Sequence, residues 1–329
     1  MYVFRSCIQG LSENAFYRKP EALSVRKNEK AENNVSKKRG TRLGFQIFDF
    51  FLRTFGLHRT YGLLYFVCIY YLLFDSEAVA SAGAYIERRF PETSFFARYL
   101  HIYRLFISQG KQLVDRFAAV GSKQDLFDIR LKGYDELMAL LRNSDKGAVL
   151  LTSHFGNWQI ALTALNKLGK RVHLLMRRED NPAVHDSLNV GREEGNIRII
   201  SPDQEFGGVI EMMNVLKKGD AVSIMGDRRY GSKASKIRFL GDYACFPYSA
   251  FAIAAAAECP VVILLAAKVA DYEYSVDVSG ILHPRCKGGK NKNEQLAPWV
   301  QEYADILAGF TGRYPYQCFL FHDIWKDEF

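Results

Sequence analysis

The sequence predicts an α/β fold with a mostly parallel central sheet flanked by helices, preceded by an N-terminal helical region that associates with a membrane. Two patterns in the 329 residues support this prediction. After residue 145, short runs rich in aliphatic residues alternate with helical patterns, as in successive strand–helix–strand units. Before residue 146 the chain carries long aromatic and amphipathic stretches instead. We therefore divide it into residues 1–42, 43–145 and 146–329.

Residues 1–42 are polar and end in the basic stretch VSKKRGTR. They show no apolar periodicity, which predicts a mobile basic tail rather than a packed element. Residues 1–40 also lack a continuous apolar stretch with a small-residue cleavage site, so we expect no signal peptide.

An aromatic segment follows the tail. GFQIFDFFLRTFG begins at Gly44, and Tyr61–Phe74 is a run of fourteen residues without a charge. A bilayer span needs about 20 apolar residues, so this run is short for a crossing. With the basic tail upstream, it predicts a helix that docks on or dips into a cytoplasmic leaflet. The alternative is a core helix of a soluble domain.

The remaining elements follow from periodicity. Residues 76–145 predict amphipathic helices at 76–90, 94–120 and 134–144. Strands are predicted at 148–154, 171–177, 197–201, 221–227, 260–270 and 272–280, with helices at 206–219, 248–259 and 294–310.

Composition limits the partners. The net charge of +8 and pI of about 9.0 favour an anionic partner: a membrane surface, a phosphorylated or acidic substrate, or an acidic carrier protein. Nucleic acid is disfavoured because no reader motif is present. The six cysteines form no CxxC pair, so neither a disulfide framework nor a zinc site is predicted. No dinucleotide or phosphate-loop motif, nucleophile elbow or HExxH occurs either, and we expect no cofactor and no metal.

One histidine stands where a strand ends and a helix begins. In AVLLTSHFGNWQ, His154 closes the apolar run, and Gly156-Asn157 permits a sharp turn into the next helix. Ligands of open α/β sheets collect at the carboxyl ends of strands. A histidine there has a suitable pKa for a general base, and its second ring nitrogen needs a partner such as Gln159. A satisfied structural histidine is the alternative.

A second polar cluster follows the strand AVSIM. Asp227, Arg228 and Arg229 are expected on the same side of the sheet as His154, and Lys233, Lys236 and Arg238 extend the positive charge. Arginine pairs bidentately with phosphate, so this loop is a candidate clamp for a phosphorylated group. A solvated basic hairpin is an equally weighted alternative.

Three separated blocks carry a family resemblance. HFGNWQ, the block beginning MGDRRYGSKASKIRFLG, and the ending RYPYQCFLFHDIW resemble the bacterial lipid A late acyltransferases, within the lysophospholipid acyltransferase superfamily. The similarity extends from about residue 43 to the end. It implies an inner-membrane enzyme on the cytoplasmic face, peripheral or shallowly inserted. That enzyme would move a fatty acyl chain from an acyl-carrier-protein or CoA thioester to a hydroxyl or amine of a lipid.

The resemblance also assigns residues. His154 matches the family's catalytic histidine, Asn157 and Trp158 match the residues after its glycine, and Asp227 and Arg228 match the second block. The candidate catalytic residues are therefore His154, Gln159 and Asp227. The candidate substrate-binding residues are Gly156, Asn157, Trp158, Arg228, Arg229, Lys233 and Arg238.

Two positions depart from the family pattern. Gln159 stands where the histidine–four residues–acid motif has a carboxylate, and FPYSA lacks the superfamily's second acid. An amide can orient the ring but cannot stabilise an imidazolium by charge. Three hypotheses follow: Gln159 orients a weaker base, Asp227 supplies the charge in space, or the protein binds acyl chains without transferring them. A thioesterase-like hydrolase is a more distant alternative.

Overall fold

The computed structural model describes residues 42–121, 126–143, 145–158, 170–176, 196–203, 205–228, 234–287, 291–320 and 323–326. These ranges leave out almost all of the predicted basic tail. They also leave out three predicted site residues: Gln159, Arg229 and Lys233.

Three helices precede the sheet, as predicted: α1 (Arg42–Phe74), α2 (Ser76–Arg89) and α3 (Phe95–Gly121). Gly56 interrupts α1 with a φ of 76°, so the aromatic segment and the uncharged run are two helical pieces joined by a kink. A 29-residue stretch of α1, Gln46–Phe74, is the one helix of the described residues that is long and apolar enough to cross a bilayer. It is consistent with membrane association.

The strands are β1 (Asp128–Lys132), β2 (Ala148–Thr152), β3 (Val172–Leu175), β4 (Ile197–Ile200), β5 (Ala221–Met225), β6 (Ala234–Phe239), β7 (Asp242–Pro247), β8 (Val261–Ala270) and β9 (Glu273–Leu282). The later helices are α4 (Tyr134–Asn143), α5 (Val209–Lys217), α6 (Ser249–Ala257) and α7 (Lys292–Arg313), and a 3₁₀ turn spans Glu205–Gly208.

Seven strands form the central sheet, in the order β1-β9-β8-β2-β5-β3-β4. Strands β8, β2, β5, β3 and β4 run parallel to one another, whereas β9 returns antiparallel beside β8. The α/β prediction with a mostly parallel sheet is confirmed.

Two parts of the secondary structure differ from the sequence prediction. Residues 128–132 form strand β1 and join the sheet beside β9, although only helices are predicted before residue 146. The alternating burial of this short strand is too brief a pattern to distinguish from a helical one. The second basic block is not one loop, because β6 and β7 pair as a two-stranded antiparallel hairpin.

Strand β2 lies at the centre of the sheet and is buried along its whole length. Val149 and Leu151 pack into the larger core, which also contains side chains of α1, α3, α6 and α7, and Ala148 and Leu150 pack into a second core on the opposite face. The chain leaves β2 towards β3 on one side and later returns to β8 on the other. Such a reversal point is where open α/β sheets form a crevice at their carboxyl edge.

Candidate active site

His154 and Asp227 meet because their two strands are in register. Strands β2 and β5 are neighbours, and Thr152, the last residue of β2, is paired with Met225, the last residue of β5. The residue two positions after each strand therefore comes to the same place. Nδ1 of His154 lies 2.9 Å from Oδ1 of Asp227, and the backbone N–H of His154 donates to Oδ2 at 2.6 Å. The carboxylate thus holds both the ring and the main chain of the histidine.

The pair is closed off from solvent. His154 is 3% exposed, Asp227 0% and the adjacent Arg228 3%. Burial and the nearby Arg228 cation lower the pKa of His154, in spite of the opposing attraction to Asp227. Burial alone would raise the pKa of Asp227, but attraction to His154 and Arg228, with the hydrogen bonds from His154, lowers it. A neutral imidazole beside an ionised carboxylate is therefore the stable combination near neutral pH.

The second ring nitrogen is the atom available for chemistry. A neutral histidine that donates from Nδ1 to Asp227 carries its lone pair on Nε2. Within the described part of the chain, Nε2 of His154 is buried and has no hydrogen-bond partner. Buried polar atoms are satisfied in the great majority of cases. An orphaned basic nitrogen in an oriented ring is what proton abstraction from a bound substrate requires.

Gly156 makes the turn after the histidine. Its φ is 60°, and a Cβ at this position would stand 1.8 Å from the carbonyl oxygen of Ala266. Backbone approach this close, in the left-handed region, is open to glycine alone. The N–H of Gly156 also donates to the carbonyl of Gln317 at 2.8 Å. The predicted sharp turn at this position is therefore present.

The chain terminus forms one wall of the site. Phe155 forms an antiparallel bridge with Cys318, and the N–H of Phe319 donates to the carbonyl of His154 at 2.9 Å. Arg228 donates from Nη2 to the carbonyl of Phe319 at 2.8 Å. These C-terminal residues were not among the site residues predicted from the sequence. The signal for them was the ending block RYPYQCFLFHDIW, whose spatial position no local pattern reveals.

Two side-chain amides connect helix α3 to the turn after His154. Asn157 is 5% exposed and donates from Nδ2 to the carbonyl of Gln112 in α3 at 3.0 Å. The side chain of Gln112 donates to Oε1 of Gln317 at 3.0 Å. Trp158 follows, half-buried, where the next helical turn begins. Asn157 is thus tied to the scaffold from the helical region.

The predicted basic clamp is only partly assembled. Arg228 lies beside the pair, but buried and bonded to the main chain rather than exposed to a ligand. Arg238 and Lys236 are exposed on β6 and lie over the ring of Tyr243 at 5.1 and 5.3 Å. These two side chains therefore lie on the exposed face of a hairpin, and their role in a clamp stays a prediction. Arg229 and Lys233 lie outside the described residues.

A protein metal site typically needs a cluster of histidine, cysteine or acidic side chains. In the described ranges, no group of three or more such residues is placed to hold an ion.

The comparisons with known proteins identify the family of the chain. No curated protein matches the chain significantly by sequence. The family model described as bacterial lipid A biosynthesis acyltransferase matches residues 39–327 and so includes both His154 and Asp227. The match spans nearly the whole chain, and the chain belongs to the bacterial lipid A biosynthesis acyltransferase family.

Proposed function

We propose that this protein transfers a fatty acyl chain from an acyl-carrier-protein or CoA thioester to a hydroxyl or amine of a lipid acceptor, with His154 as general base. Family membership implies an acyltransferase that acts on a lipid acceptor. The observation that carries the finer proposal is the buried His154–Asp227 pair, whose Nε2 is bonded by no described residue.

The chemistry follows from the two nitrogens. Nε2 of His154 accepts the proton of the acceptor hydroxyl or amine as the acceptor oxygen or nitrogen attacks the thioester carbonyl. The tetrahedral intermediate collapses, the carbon–sulfur bond breaks, and the imidazolium returns the proton to the leaving thiolate. Asp227 remains ionised throughout and stabilises the transient imidazolium.

Asp227 also accounts for the departure at Gln159. The missing acid of the family motif would have served as the charge partner of the histidine ring. Because Asp227 already accepts from Nδ1 at 2.9 Å, a carboxylate is present although position 159 carries an amide. This favours the hypothesis that Asp227 supplies the charge in space over the hypothesis of an inactive acyl-chain binder. We assign Gln159, which lies outside the described residues, to the site on the family motif alone.

The remaining candidates receive more limited roles. Gly156 shapes the turn, Asn157 fixes it to α3, and Arg228 holds the C-terminal wall while its charge keeps Asp227 ionised. Trp158, Arg229, Lys233 and Arg238 remain proposed substrate contacts on the basis of the sequence.

In this proposal the two large regions of the chain have different functions. Residues 43–145 bind the cytoplasmic face of the inner membrane, and residues 146–329 form the acyltransferase core. The exposed aromatic side chains of α1 and the positive net charge support this arrangement.

The decisive experiment compares the unaltered protein with His154→Ala and with a matched control, His283→Ala, which removes an exposed histidine. Each is incubated with labelled acyl-carrier-protein or acyl-CoA and a bacterial lipid extract. We expect His154→Ala to lose about 10²–10⁴-fold in transfer rate, the usual contribution of a general base, and the control to remain active.

Three results would contradict the proposal. Equal background transfer by all three proteins would indicate an acyl-chain binder. Release of free fatty acid without any acceptor dependence would indicate a thioesterase. Transfer by His154→Ala at the unaltered rate would remove the histidine from the mechanism, provided that its thermal unfolding matches that of the control.

A further inference from the structure

We propose that a groove between α1, α3 and the segment after α7 holds the phosphate of an anionic phospholipid and so fixes the protein to the membrane surface. The groove has a volume of about 580 Å³. Its lining includes Tyr65 of α1, Leu100, Arg104 and Lys111 of α3, and Arg313 and Gln317 near the end of the chain. This site lies outside the catalytic pair, and its argument does not depend on the acyl-transfer mechanism.

Three cations surround the groove, and two of them form no ion pair with the described part of the chain. The third cation, Lys111, has its Nζ 3.6 Å from Oδ1 of Asp271. Arg104 donates to the hydroxyl of Tyr316 at 3.3 Å, and Arg313 lies over the rings of Phe310 and Tyr314 at 5.9 Å each. Among the described residues, the two arginines thus contact a hydroxyl group and aromatic rings instead of a carboxylate. Planar guanidinium groups whose donors face no carboxylate are suited to phosphate oxygens.

The walls between these cations are apolar. Leu100 and Tyr65 are 48% and 46% exposed, and Ile107 and Tyr103 also line the groove. A purely hydrophilic anion would leave this surface in water. A lipid offers a charged head for the arginines and a hydrocarbon chain for the leucine and tyrosine faces.

The surface around the groove extends the same pattern. Phe96 at the start of α3 is 84% exposed, and Phe66 on α1 is 75% exposed. Exposed aromatic side chains at such density are typical of surfaces that enter a lipid interface. Arg104 follows Phe96 by eight residues on the same helix, which corresponds to about 12 Å along the axis. An α3 that enters the interface with its first turn therefore carries Arg104 at the level of the phosphates.

The groove is also joined to the catalytic turn. Gln317 forms part of its wall, its carbonyl accepts the N–H of Gly156 at 2.8 Å, and its side chain bonds both to Gln112 and to the main chain of Lys268. A lipid held at this wall thus contacts Gln317, whose carbonyl accepts from the turn after His154.

The test measures binding of the full-length protein to vesicles by co-sedimentation. Vesicles of phosphatidylcholine alone are compared with vesicles that also contain phosphatidylglycerol. We expect the anionic vesicles to bind the unaltered protein more tightly. Each juxtamembrane arginine contributes roughly fivefold to such binding, so Arg104→Gln/Arg313→Gln should weaken it about 25-fold.

A matched control removes the same charge elsewhere. Arg142→Gln/Arg285→Gln changes two exposed arginines, of which Arg285 follows β9 at the edge of the sheet opposite to His154. We expect this control to lose less than about twofold, because charges beyond a Debye length of about 10 Å are screened. His154→Ala should bind as the unaltered protein does, so a failed mechanism and a failed lipid site give different results.

Equal losses in the two double variants would overturn the proposal, because the attraction would then be a property of the whole protein. Stabilisation by inorganic phosphate that requires Arg104 and Arg313, with unchanged vesicle binding, would replace the lipid by a soluble anion. Loss of acyl-carrier-protein binding alone in the groove variant would identify an acidic protein as the occupant. Thermal unfolding of all variants excludes a folding defect as the cause.

Discussion

Asp115 and Asp227 are both fully buried carboxylates, and both contact a nitrogen that can carry a positive charge. Asp227 faces the ring of His154. Asp115 accepts from Nζ of Lys268 at 2.5 Å and from the hydroxyls of Tyr61 and Tyr274. Asp227 lies in the crevice at the end of β2, whereas Asp115 connects α1, α3, β8 and β9.

Their surroundings shift the two pKa values in opposite directions. Burial raises the pKa of Asp115 in spite of its attraction to Lys268. At Asp227 the histidine and Arg228 outweigh burial, and the pKa falls. The polar atoms bonded to Asp115 are satisfied, while Nε2 of the histidine bonded to Asp227 has no partner among the described residues. A fully satisfied buried cluster is typical of a structural role. The cluster whose basic atom lacks a partner is the one that we propose to receive the substrate proton.

The strongest test of this difference is Asp227→Asn. An amide presents one oxygen and one NH₂ group to two donors, the backbone N–H and Nδ1–H of His154. If the amide oxygen keeps the bond from the backbone N–H, the NH₂ group faces Nδ1 of the ring. Nδ1 must then accept a hydrogen bond, so the ring proton moves to Nε2, which can no longer act as a base. We expect kcat/KM to fall on the order of 10³–10⁴-fold, as for the equivalent change in serine hydrolases. Steady-state transfer assays measure it, and a loss below about tenfold would contradict the assigned role.

Asp115→Asn should act on stability instead. It removes the hydrogen-bonded carboxylate partner of the largely buried Lys268, and breaking a buried pair costs about 3–5 kcal/mol in the free energy of unfolding. Denaturant unfolding measures this, while activity per folded molecule should persist. Removing both charges, in Asp115→Asn/Lys268→Met, should restore part of the stability. A loss of the chemical step as large as that for Asp227→Asn would erase the distinction between the two carboxylates.

Gly156→Ala tests the turn that carries His154. A residue with a Cβ at a φ of 60° is strained, which lowers the free energy of unfolding by roughly 1–3 kcal/mol. The clash of this Cβ with the carbonyl oxygen of Ala266 must also move the turn. Activity should fall together with stability. Gly62→Ala in α1 is the matched control, since a Cβ added there would meet no atom of the described residues within 4 Å. We expect that helical substitution to raise stability by up to about 1 kcal/mol, as thermal unfolding would show.

The smallest expected effect is on pH dependence. Because burial and Arg228 lower the pKa of His154 below its usual 6.5, the neutral base persists under mildly acidic conditions. The rate should be full above pH 6.5 and fall only as the pH drops through the lowered pKa. Arg228→Gln removes the nearby cation and should move this acid limb upward, towards the usual value. A pH profile of kcat/KM measures both, and an unchanged limb in the variant would exclude the proposed influence of Arg228.

Much of the secondary structure could be predicted, because periodicity and turn residues are local signals. The uncharged run, the long α3 and the buried strand before His154 are each visible in a window of ten to thirty residues. Strand β1 was missed because five residues give too few repeats to separate a strand from a helix. The β6–β7 hairpin was predicted only as an alternative to a loop, because six-residue strands give a similarly weak signal.

The features of the site likewise fall into those that are local in the sequence and those that depend on long-range packing. Local sequence patterns predict that a histidine follows a buried strand, that a glycine comes soon after it, and that an acid follows another strand, because each is a property of neighbouring residues. The adjacency and register of β2 and β5, which bring Asp227 to Nδ1 of His154 across 73 positions, are visible in the folded chain alone. The closing of the site by Gln317–Phe319 and the burial of Arg228 are likewise visible only there, since pairing between distant segments depends on the packing of the whole sheet.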